Sequence, residues 1–236
     1  MTRHLEWDGC RNVRDLGGLP AADGHETRRG ALVRADAVDC LSAHGWEALE
    51  AHGVRTVVDL REPDEVGADT APRPAGITTV HVPLDGADDD GFWSGQWANG
   101  PQFATPLYYG PHIDRFPERS ARAVSAIARA EPGGVLFHCG RGRDRSGQVA
   151  MLVLALVGVA DEDIAADYDL SAGRLAPHFP EECREVDEYL AGRGTTAPEV
   201  LLETLSSLDA EAQMRAGGMT DEELEALRAR LLTTSG

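Results

Sequence analysis

The sequence predicts an α/β fold in which a central, mostly parallel sheet has helices on both faces. Short apolar runs typical of buried strands alternate with segments of helical periodicity as far as residue 158, and the pattern beyond is helical only. An apolar content of 42% and a charged content of 26% are typical of a globular chain. We expect one domain over residues 1–236, with a helical C-terminal extension from about 160 to 236.

The first elements follow a loop rich in glycine, aspartate and arginine at residues 8–30. Residues 31–34 predict a short strand. Ser42 is a favourable N-cap for a helix that runs to about residue 52. The β-branched run at 54–60 predicts a buried strand.

A strand at 78–83 ends at its proline and leads into an unusual segment. Residues 85–115 contain two of the four tryptophans together with a run of aspartates, and we predict a long excursion that acts as a lid or insert. Trp93, Trp97 and Phe103 either pack as a lid over a bound aromatic ligand or belong to a core or interface. A helix is predicted over 115–130.

The remaining elements begin with an apolar strand at 134–138 and an apolar helix that starts at Ser146. Further helices are predicted near residues 161–172, 181–191 and 197–208, and a capping box, Thr220 to Glu223, opens a last helix.

All 22 basic side chains are arginines, and 40 acidic side chains give a net charge of −18. This balance argues against nucleic acid or an anionic membrane as a partner. The four cysteines lack zinc-ligand spacing and the eight histidines are scattered, so we predict neither a metal nor a cofactor.

The longest apolar run, residues 149–157, is too short to cross a bilayer, and the first residues do not form a signal peptide. We therefore expect a cytoplasmic protein without integral membrane association. Secretion without a signal peptide stays open, and so does the oligomeric state.

The strongest functional pattern is HCGRGRDRSG at residues 138–147, between a predicted strand and a predicted helix. Gly140 and Gly142 allow backbone N–H groups to converge with the following helix N-terminus into an anion-binding nest. The same dipoles stabilise a thiolate at Cys139, and Arg145 can bind two phosphate oxygens. A thiolate that faces a bound phosphate is a nucleophile for phosphoryl transfer.

This spacing is the Cys-x5-Arg signature of cysteine-dependent phosphatases. We assign Cys139 as the nucleophile that becomes phosphocysteine and Arg145 as the group that binds and stabilises the phosphate. Ser146 is assigned as a hydroxyl donor to the sulfur. The other predicted substrate-binding residues are Gly140, Arg141, Gly142 and Arg143.

Three further stretches resemble the atypical bacterial tyrosine phosphatase family, whose members resemble both protein and lipid phosphatases. They are residues 12–18 (NVRDLGG), 30–36 (GALVRAD) and 54–62, which contains Asp59-Leu-Arg61. The resemblance implies a cysteine-phosphatase-like α/β fold for most of the chain. The family's loop has Lys-Asp-Arg where this chain has Arg143-Asp144-Arg145, a change that bears on substrate preference.

The general acid has two candidates. The family resemblance implies Asp144, beside Arg145. The alternative is Asp85, just after the strand that ends near residue 83 and at the mouth of the long excursion. Arg14 and Asp15 are adjacent opposite charges, and we expect them to brace their loop as an ion pair.

The predicted function is that of a metal-independent phosphomonoester hydrolase, a protein-tyrosine phosphatase of broad or dual specificity. Its partner would be a phosphorylated protein or a small phosphomonoester. Arg141 and Arg143 leave open a phosphoinositide phosphatase, because extra cations can accept a second phosphate. A non-catalytic phosphoresidue-binding module also stays open. A rhodanese-like sulfurtransferase is disfavoured, because its loop does not need Arg145 followed by Ser146.

Overall fold

The sheet of this protein has five strands and is parallel except at one edge. The computed structural model describes residues 3–66, 73–94, 97 and 100–233. The strand order is β1-β2-β5-β3-β4, and only β1 runs antiparallel to its neighbour, β2. The strands are β1 (Arg14–Asp15), β2 (Leu32–Ala35), β3 (Val54–Asp59), β4 (Thr78–His81) and β5 (Gly134–His138).

Helices connect these strands and cover both faces of the sheet. After β5 and the helix that follows it, the described part of the chain forms five further helices. They are α1 (Ala43–Ala51), α2 (Pro63–Val66), α3 (Asp90–Trp93), α4 (Tyr109–Arg115), α5 (Pro117–Ala128), α6 (Arg145–Leu156), α7 (Asp161–Leu175), α8 (Pro180–Ala191), α9 (Ala197–Ser207), α10 (Ala210–Ala216) and α11 (Asp221–Leu231). Short 3₁₀ turns lie at Ala22–Gly24, Val38–Cys40, Pro101–Ala104 and Pro106–Tyr108.

Alternate side chains of the central strands enter two separate cores, because successive residues of a strand point to opposite faces. On one face, Leu136 of β5 and Val57 of β3 pack with Trp46 and Leu49 of α1. On the other face, Phe137 and neighbouring strand residues pack against α5, α6 and the C-terminal helices. The prediction of a mostly parallel sheet with helices on both faces is confirmed.

The helix expected over 115–130 is α5, which begins at Pro117 and ends at Ala128. Proline lacks an N–H donor and is favourable at the first position of a new helix. Sequence patterns missed α4, which ends at Arg115 within the predicted excursion. Sequence patterns also missed α10, whose N-cap Asp209 accepts a hydrogen bond from the Ala212 amide. In the described ranges, no helix combines the length and the apolar character that a membrane crossing requires.

Candidate active site

The Cys-x5-Arg segment lies at the carboxyl edge of the parallel strands. Strand β5 ends at His138, and α6 begins at Arg145, so residues 139–144 form the connecting loop. The Leu60 amide, just after β3, donates to the His138 carbonyl at 2.9 Å, which joins two strand ends at this edge. Open α/β sheets bind their ligands at this edge.

The loop carbonyls are held by two side chains that sequence reasoning missed. The Asn12 amide nitrogen donates to the carbonyls of Arg141 and Gly142 at 3.1 and 3.0 Å. Arg34 donates to the carbonyls of Gly142 and Arg143 at 3.1 and 2.7 Å. Because these carbonyls point toward Asn12 and Arg34, the loop amides are free to point the opposite way, toward a bound anion.

Gly142 is required by the tight approach of this loop to β2. Its φ is +67°, and a Cβ at this position would lie 2.6 Å from the carbonyl carbon of Ala35. The Gly140 carbonyl accepts from the Ala37 amide at 3.2 Å. The loop therefore packs against the end of β2 and the turn after it.

A buried carboxylate anchors the bracing arginines. Asp167 of α7 accepts from Arg14 Nε at 3.1 Å and from Arg34 Nη1 at 3.1 Å, and Arg3 also pairs with it. Burial acts to raise the Asp167 pKa, but the three arginine charges outweigh it and hold that pKa well below its usual range.

The expected ion pair between Arg14 and Asp15 is wrong. Asp15 instead accepts from the amides of Gly17 and Gly30, at 2.7 and 2.8 Å, and pairs with His52. Adjacent residues of β1 point to opposite sides of the strand, which separates their side chains.

Cys139 is the first residue of the loop and is 1% exposed. Its Sγ is 3.7 Å from the hydroxyl of Ser146 in the first turn of α6. The fold therefore brings a hydroxyl close to the sulfur, and the role of Ser146 as a donor to the thiolate stays a prediction.

Arg145 is held between two carboxyl groups. Glu65 of α2 binds both of its terminal nitrogens, with Nη2 to Oε1 at 2.7 Å. Asp85 lies on the other side, with its Oδ2 3.3 Å from Nη1. Glu65 was not predicted, although a short proline-initiated helix directly after a central strand is a signal that could have indicated it.

Asp85 is a buried carboxyl group in an acidic neighbourhood. It is 5% exposed, and burial raises its pKa to about 7. The Arg145 charge acts to lower that pKa, while Glu62 and Glu65 act to raise it. Its Oδ1 has no hydrogen-bond partner among the described residues. A carboxyl group with such a pKa can hold a proton near neutral pH.

The main chain at Asp85 is fixed by two rings from the excursion. Trp93 Nε1 donates to the carbonyls of Asp85 and Gly86, both at 3.1 Å. His112 Nε2 lies 3.1 Å from the Asp85 carbonyl, and Gln148 Nε2 of α6 donates to His112 Nδ1 at 3.0 Å. Because Nδ1 accepts the hydrogen bond from Gln148, the single N–H proton of a neutral His112 ring is on Nε2. Nε2 therefore donates to the main-chain carbonyl of Asp85.

Burial keeps the ring of His112 neutral, since it lowers the pKa to about 4. His138, next to the nucleophile, is also buried, and desolvation lowers its pKa to about 4 as well. His138 Nε2 lies 3.7 Å from Asp59, and its Nδ1 lies 3.3 Å from the Cys139 carbonyl. These contacts are typical of a histidine that supports the loop.

The second acid candidate, Asp144, occupies the N-cap position of α6. Its carboxylate accepts from Arg143 Nε at 3.1 Å, and its carbonyl accepts from the Tyr109 hydroxyl at 2.6 Å.

The two extra cations of the loop are engaged outside the nest, because Arg141 and Arg143 both bind Glu182 of α8, at 3.1 and 2.8 Å.

The aromatic residues of the excursion pack together beside Asp85. Trp93 contacts the rings of Phe103 and Tyr108 at centroid distances of 5.3 and 5.9 Å, and Trp97 contacts Tyr108 at 6.4 Å. Trp93 and Trp97 are partly buried and also pack against the larger core. A role of these rings as a cover over the substrate stays a prediction. Within the described ranges, no cluster of three or more potential metal ligands occurs.

A mostly parallel sheet whose central strand leads into a Cys-x5-Arg loop and an apolar helix defines a phosphatase fold. Comparison with known proteins gives the same class. The chain belongs to the tyrosine phosphatase family, since the model of that family matches residues 5–233.

Individual relatives carry the resemblance over most of the chain. A protein of Cupriavidus necator, provisionally named a tyrosine-protein phosphatase, is 36% identical over 91% of this chain and 79% of its own length. The triple specificity protein phosphatase PtpB of Mycobacterium tuberculosis is 30% identical over 86% of this chain and 81% of its own. A tyrosine-protein phosphatase of Nostoc commune is 27% identical over 85% of this chain and 74% of its own.

Proposed function

We propose that this phosphatase is a metal-independent protein-tyrosine phosphatase of broad or dual specificity that works through a phosphocysteine intermediate. The observation that carries the proposal is the loop geometry. Cys139 and Arg145 lie at the two ends of one loop, and Asn12 and Arg34 hold the carbonyls of that loop from outside. The name of the mycobacterial relative, which states three specificities, supports a broad substrate range.

In the first step, the Cys139 thiolate attacks the phosphorus and the bond to the leaving oxygen breaks. Loop amides and Arg145 stabilise the charge on the phosphoryl oxygens. The leaving oxygen takes a proton from a carboxyl group, which becomes a carboxylate.

In the second step, the same carboxylate accepts a proton from water while the water oxygen attacks phosphorus. The sulfur–phosphorus bond then breaks, and the Ser146 hydroxyl stabilises the thiolate that leaves. The products are inorganic phosphate and the free enzyme with its carboxyl group protonated again.

We propose Asp85 as this carboxyl group, in preference to Asp144. Asp85 lies beside Arg145, and its pKa of about 7 allows both protonation states at working pH. The carboxylate of Asp144 is instead engaged by Arg143. Asp144 is thereby suited to fixing the loop.

The test of the nucleophile measures phenolate release from a small aryl phosphate with a chelator present. Native protein and Cys139→Ser are compared, with Cys40→Ser as the matched control because Cys40 is an exposed free cysteine. We expect chelator-resistant activity that Cys139→Ser abolishes and Cys40→Ser retains. Activity that survives in Cys139→Ser would refute the proposed nucleophile. Phosphopeptide binding without any turnover by the reduced native protein would favour a non-catalytic binding module.

The two acid candidates are separated by Asp85→Asn and Asp144→Asn, each assayed with an aryl and an alkyl phosphate. An alkoxide needs the acid more than a stabilised phenolate does. We expect Asp85→Asn to slow the alkyl substrate roughly 100-fold or more, and the aryl substrate much less. If only Asp144→Asn shows this selective loss, Asp144 is the acid.

A phosphoinositide phosphatase is the second candidate, since Arg141 and Arg143 are cations beside the loop. Both are bound by Glu182, so a second phosphate would have to displace that carboxylate. We expect Glu182→Gln to raise any activity on a phosphoinositide panel relative to a phosphotyrosine peptide. No phosphate release above background from either protein would remove this candidate.

The proposed setting is the cytoplasm. All four cysteines are free thiols, which is typical of a reducing compartment.

A further inference from the structure

Tyr108 has a buried hydroxyl group that no part of the fold uses. The residue is 0% exposed, and within the described part of the chain its hydroxyl has no hydrogen-bond partner. Leaving such a group unpaired inside a protein costs free energy, so buried hydroxyls are normally bonded. Phenylalanine would fill the same space without that cost.

The position of Tyr108 connects it to the candidate active site. Its ring contacts the ring of Tyr109 at 5.1 Å and that of His112 at 6.0 Å. Those two neighbours donate hydrogen bonds to the main-chain carbonyls of Asp144 and Asp85, respectively. Tyr108 therefore lies between the residues that hold the two acid candidates.

The charges that act on the Tyr108 hydroxyl are those of the reaction centre. After burial, the groups that shift its pKa are Asp85, Asp144, Arg145 and Cys139. The Tyr108 hydroxyl therefore shares the electrostatic environment of the nucleophile, the phosphate-binding arginine and the two acid candidates.

Within the described ranges, a second buried atom without a partner belongs to Asp85. Asp85 Oδ1 is buried and lacks a partner among the residues that the structure describes, while Oδ2 faces Arg145. A buried donor and a buried acceptor are thus both left open beside the reaction centre. Substrate groups that bind only during turnover can satisfy both of them.

We propose that Tyr108 is a catalytic residue whose hydroxyl, together with Asp85, binds the leaving-group oxygen in the first step and the attacking water in the second. This inference rests on the proposed function and adds a residue to it. Tyr108 donates a hydrogen bond and keeps its proton throughout. Asp85 gives the proton to the leaving oxygen and later takes one from water, so the proton balance of the two steps is unchanged.

The environment suits a permanent donor. Burial, together with the charges of Asp85 and Asp144, raises the Tyr108 pKa well above its usual value, and the hydroxyl stays protonated. Stacking on Phe103 at 5.8 Å, with the two rings 6° from parallel, holds the ring in one orientation. A fixed donor of this kind stabilises charge at the position where it develops.

Tyr108→Phe tests the proposal, because it removes only the hydroxyl and keeps the ring. We expect kcat for an aryl phosphate to fall about 10-fold to 100-fold. We also expect the melting temperature to stay the same or rise, since the lost hydroxyl had no protein partner. Loss of activity without loss of stability separates a catalytic role from a structural one.

A second readout does not depend on how much protein is folded. In the presence of methanol, the phosphoenzyme partitions between inorganic phosphate and methyl phosphate. If Tyr108 helps to bind the attacking water, Tyr108→Phe changes this product ratio several-fold. Tyr189→Phe is the matched control, because it removes the same group from a half-buried tyrosine of α8 whose ring contacts Arg193, and it should leave both kcat and the ratio unchanged.

The proposal is overturned if Tyr108→Phe has kcat and product ratio within twofold of the native protein. Such a result, with Cys139→Ser inactive, would leave the proposed function standing and remove only Tyr108 from the mechanism. Activity in Cys139→Ser would instead remove the phosphocysteine mechanism itself.

Discussion

Arg145 binds two carboxyl groups whose pKa values are shifted in opposite directions. Its charge lowers the pKa of Glu65, which binds it through both oxygens and is partly exposed. Asp85 is more deeply buried, and its pKa is raised by burial and further by the negative charge of Glu65. Glu65 therefore orients the arginine and also keeps the neighbouring carboxyl group protonated to a higher pH.

This arrangement predicts a shifted pH profile for Glu65→Gln. The substitution removes a negative charge that raises the Asp85 pKa and frees Arg145 to act on Asp85, so the Asp85 pKa should fall. The basic limb of kcat/KM for an alkyl phosphate should then move to lower pH. The maximum of kcat/KM should also fall, roughly tenfold, because Arg145 loses its charged bidentate partner.

The matched control for this profile is Glu188→Gln, on the exposed side of α8. Glu188 forms an ion pair with Arg184 in the same helix. The basic limb of the kcat/KM profile of Glu188→Gln should coincide with that of the native protein. A Glu65→Gln profile that also coincides with the native one would contradict the coupling between Glu65 and Asp85.

At the scale of single elements, α6 joins the phosphate-binding loop to the excursion. Its first turn carries Arg145, Ser146 and Gly147, followed by Gln148, which bonds to His112. Gly147 is close to its neighbours: a Cβ there would lie 2.4 Å from the Tyr109 hydroxyl and 2.9 Å from Arg34 Nη2. Both of those groups hold carbonyls of the loop.

Gly147→Ala should therefore destabilise the protein, although alanine is the better helix former. We expect a loss of about 1–3 kcal/mol in the free energy of unfolding, together with reduced activity, because Tyr109 and Arg34 must move. Gly173→Ala in α7 is the matched control, since no atom lies within 4 Å of its Cβ position. The Gly173→Ala protein should gain about 0.5–1 kcal/mol in the free energy of unfolding, because alanine is the better helix former. Urea unfolding measures both, and equal effects of the two substitutions would contradict the packing argument.

The elements that the sequence predicted well are those defined by local pattern. The strand β5, its loop and α6 follow one another along the chain, so Cys139 and Arg145 could be placed before the fold was known. Ser42 and Thr220 likewise marked helix starts, and both side chains accept the expected capping bonds.

The rest of the candidate site depends on contacts between distant segments. Asn12 and Arg34 reach the loop from residues more than 100 positions away, and Glu65 reaches Arg145 across 80 positions. No local periodicity indicates such contacts. Helix α4 lies within the segment that we predicted as a long excursion, and the sequence analysis did not predict it.

On the scale of the whole molecule, stability and catalysis place opposite demands on buried carboxyl groups. Asp167 is ionised among three arginines and its pKa is lowered, so its contribution to stability is present at neutral pH and is lost as the pH falls through the acidic range. Asp85 has the opposite shift. Its pKa rises from an ordinary 3.8 to about 7, so the folded protein holds that proton more tightly than the unfolded chain does.

The contribution of Asp85 to stability is therefore fully present below about pH 4 and is lost as the pH rises to about 7. Asparagine does not titrate, so Asp85→Asn should become more stable than the native protein across this range. The difference should level off above pH 7 at a few kcal/mol, since each pKa unit corresponds to about 1.4 kcal/mol.

Chemical unfolding of both proteins between pH 4 and pH 8 measures this difference. Asp88→Asn, at a carboxylate whose side chain is 86% exposed, controls for the removal of one charge from an acidic protein. A constant difference between Asp85→Asn and native protein over the whole range would contradict a raised pKa for Asp85.

The two glutamates that bind the loop arginines also determine what kind of inhibitor this pocket would accept. Glu65 and Glu182 are each about one-third exposed, at 36% and 35% of their side-chain surface. Each is paired with an arginine of the Cys-x5-Arg segment, so an anionic compound that binds these arginines must displace a carboxylate. A compound that joins a phosphate mimic to an amine or guanidine arm would offer the displaced carboxylate a new cationic partner.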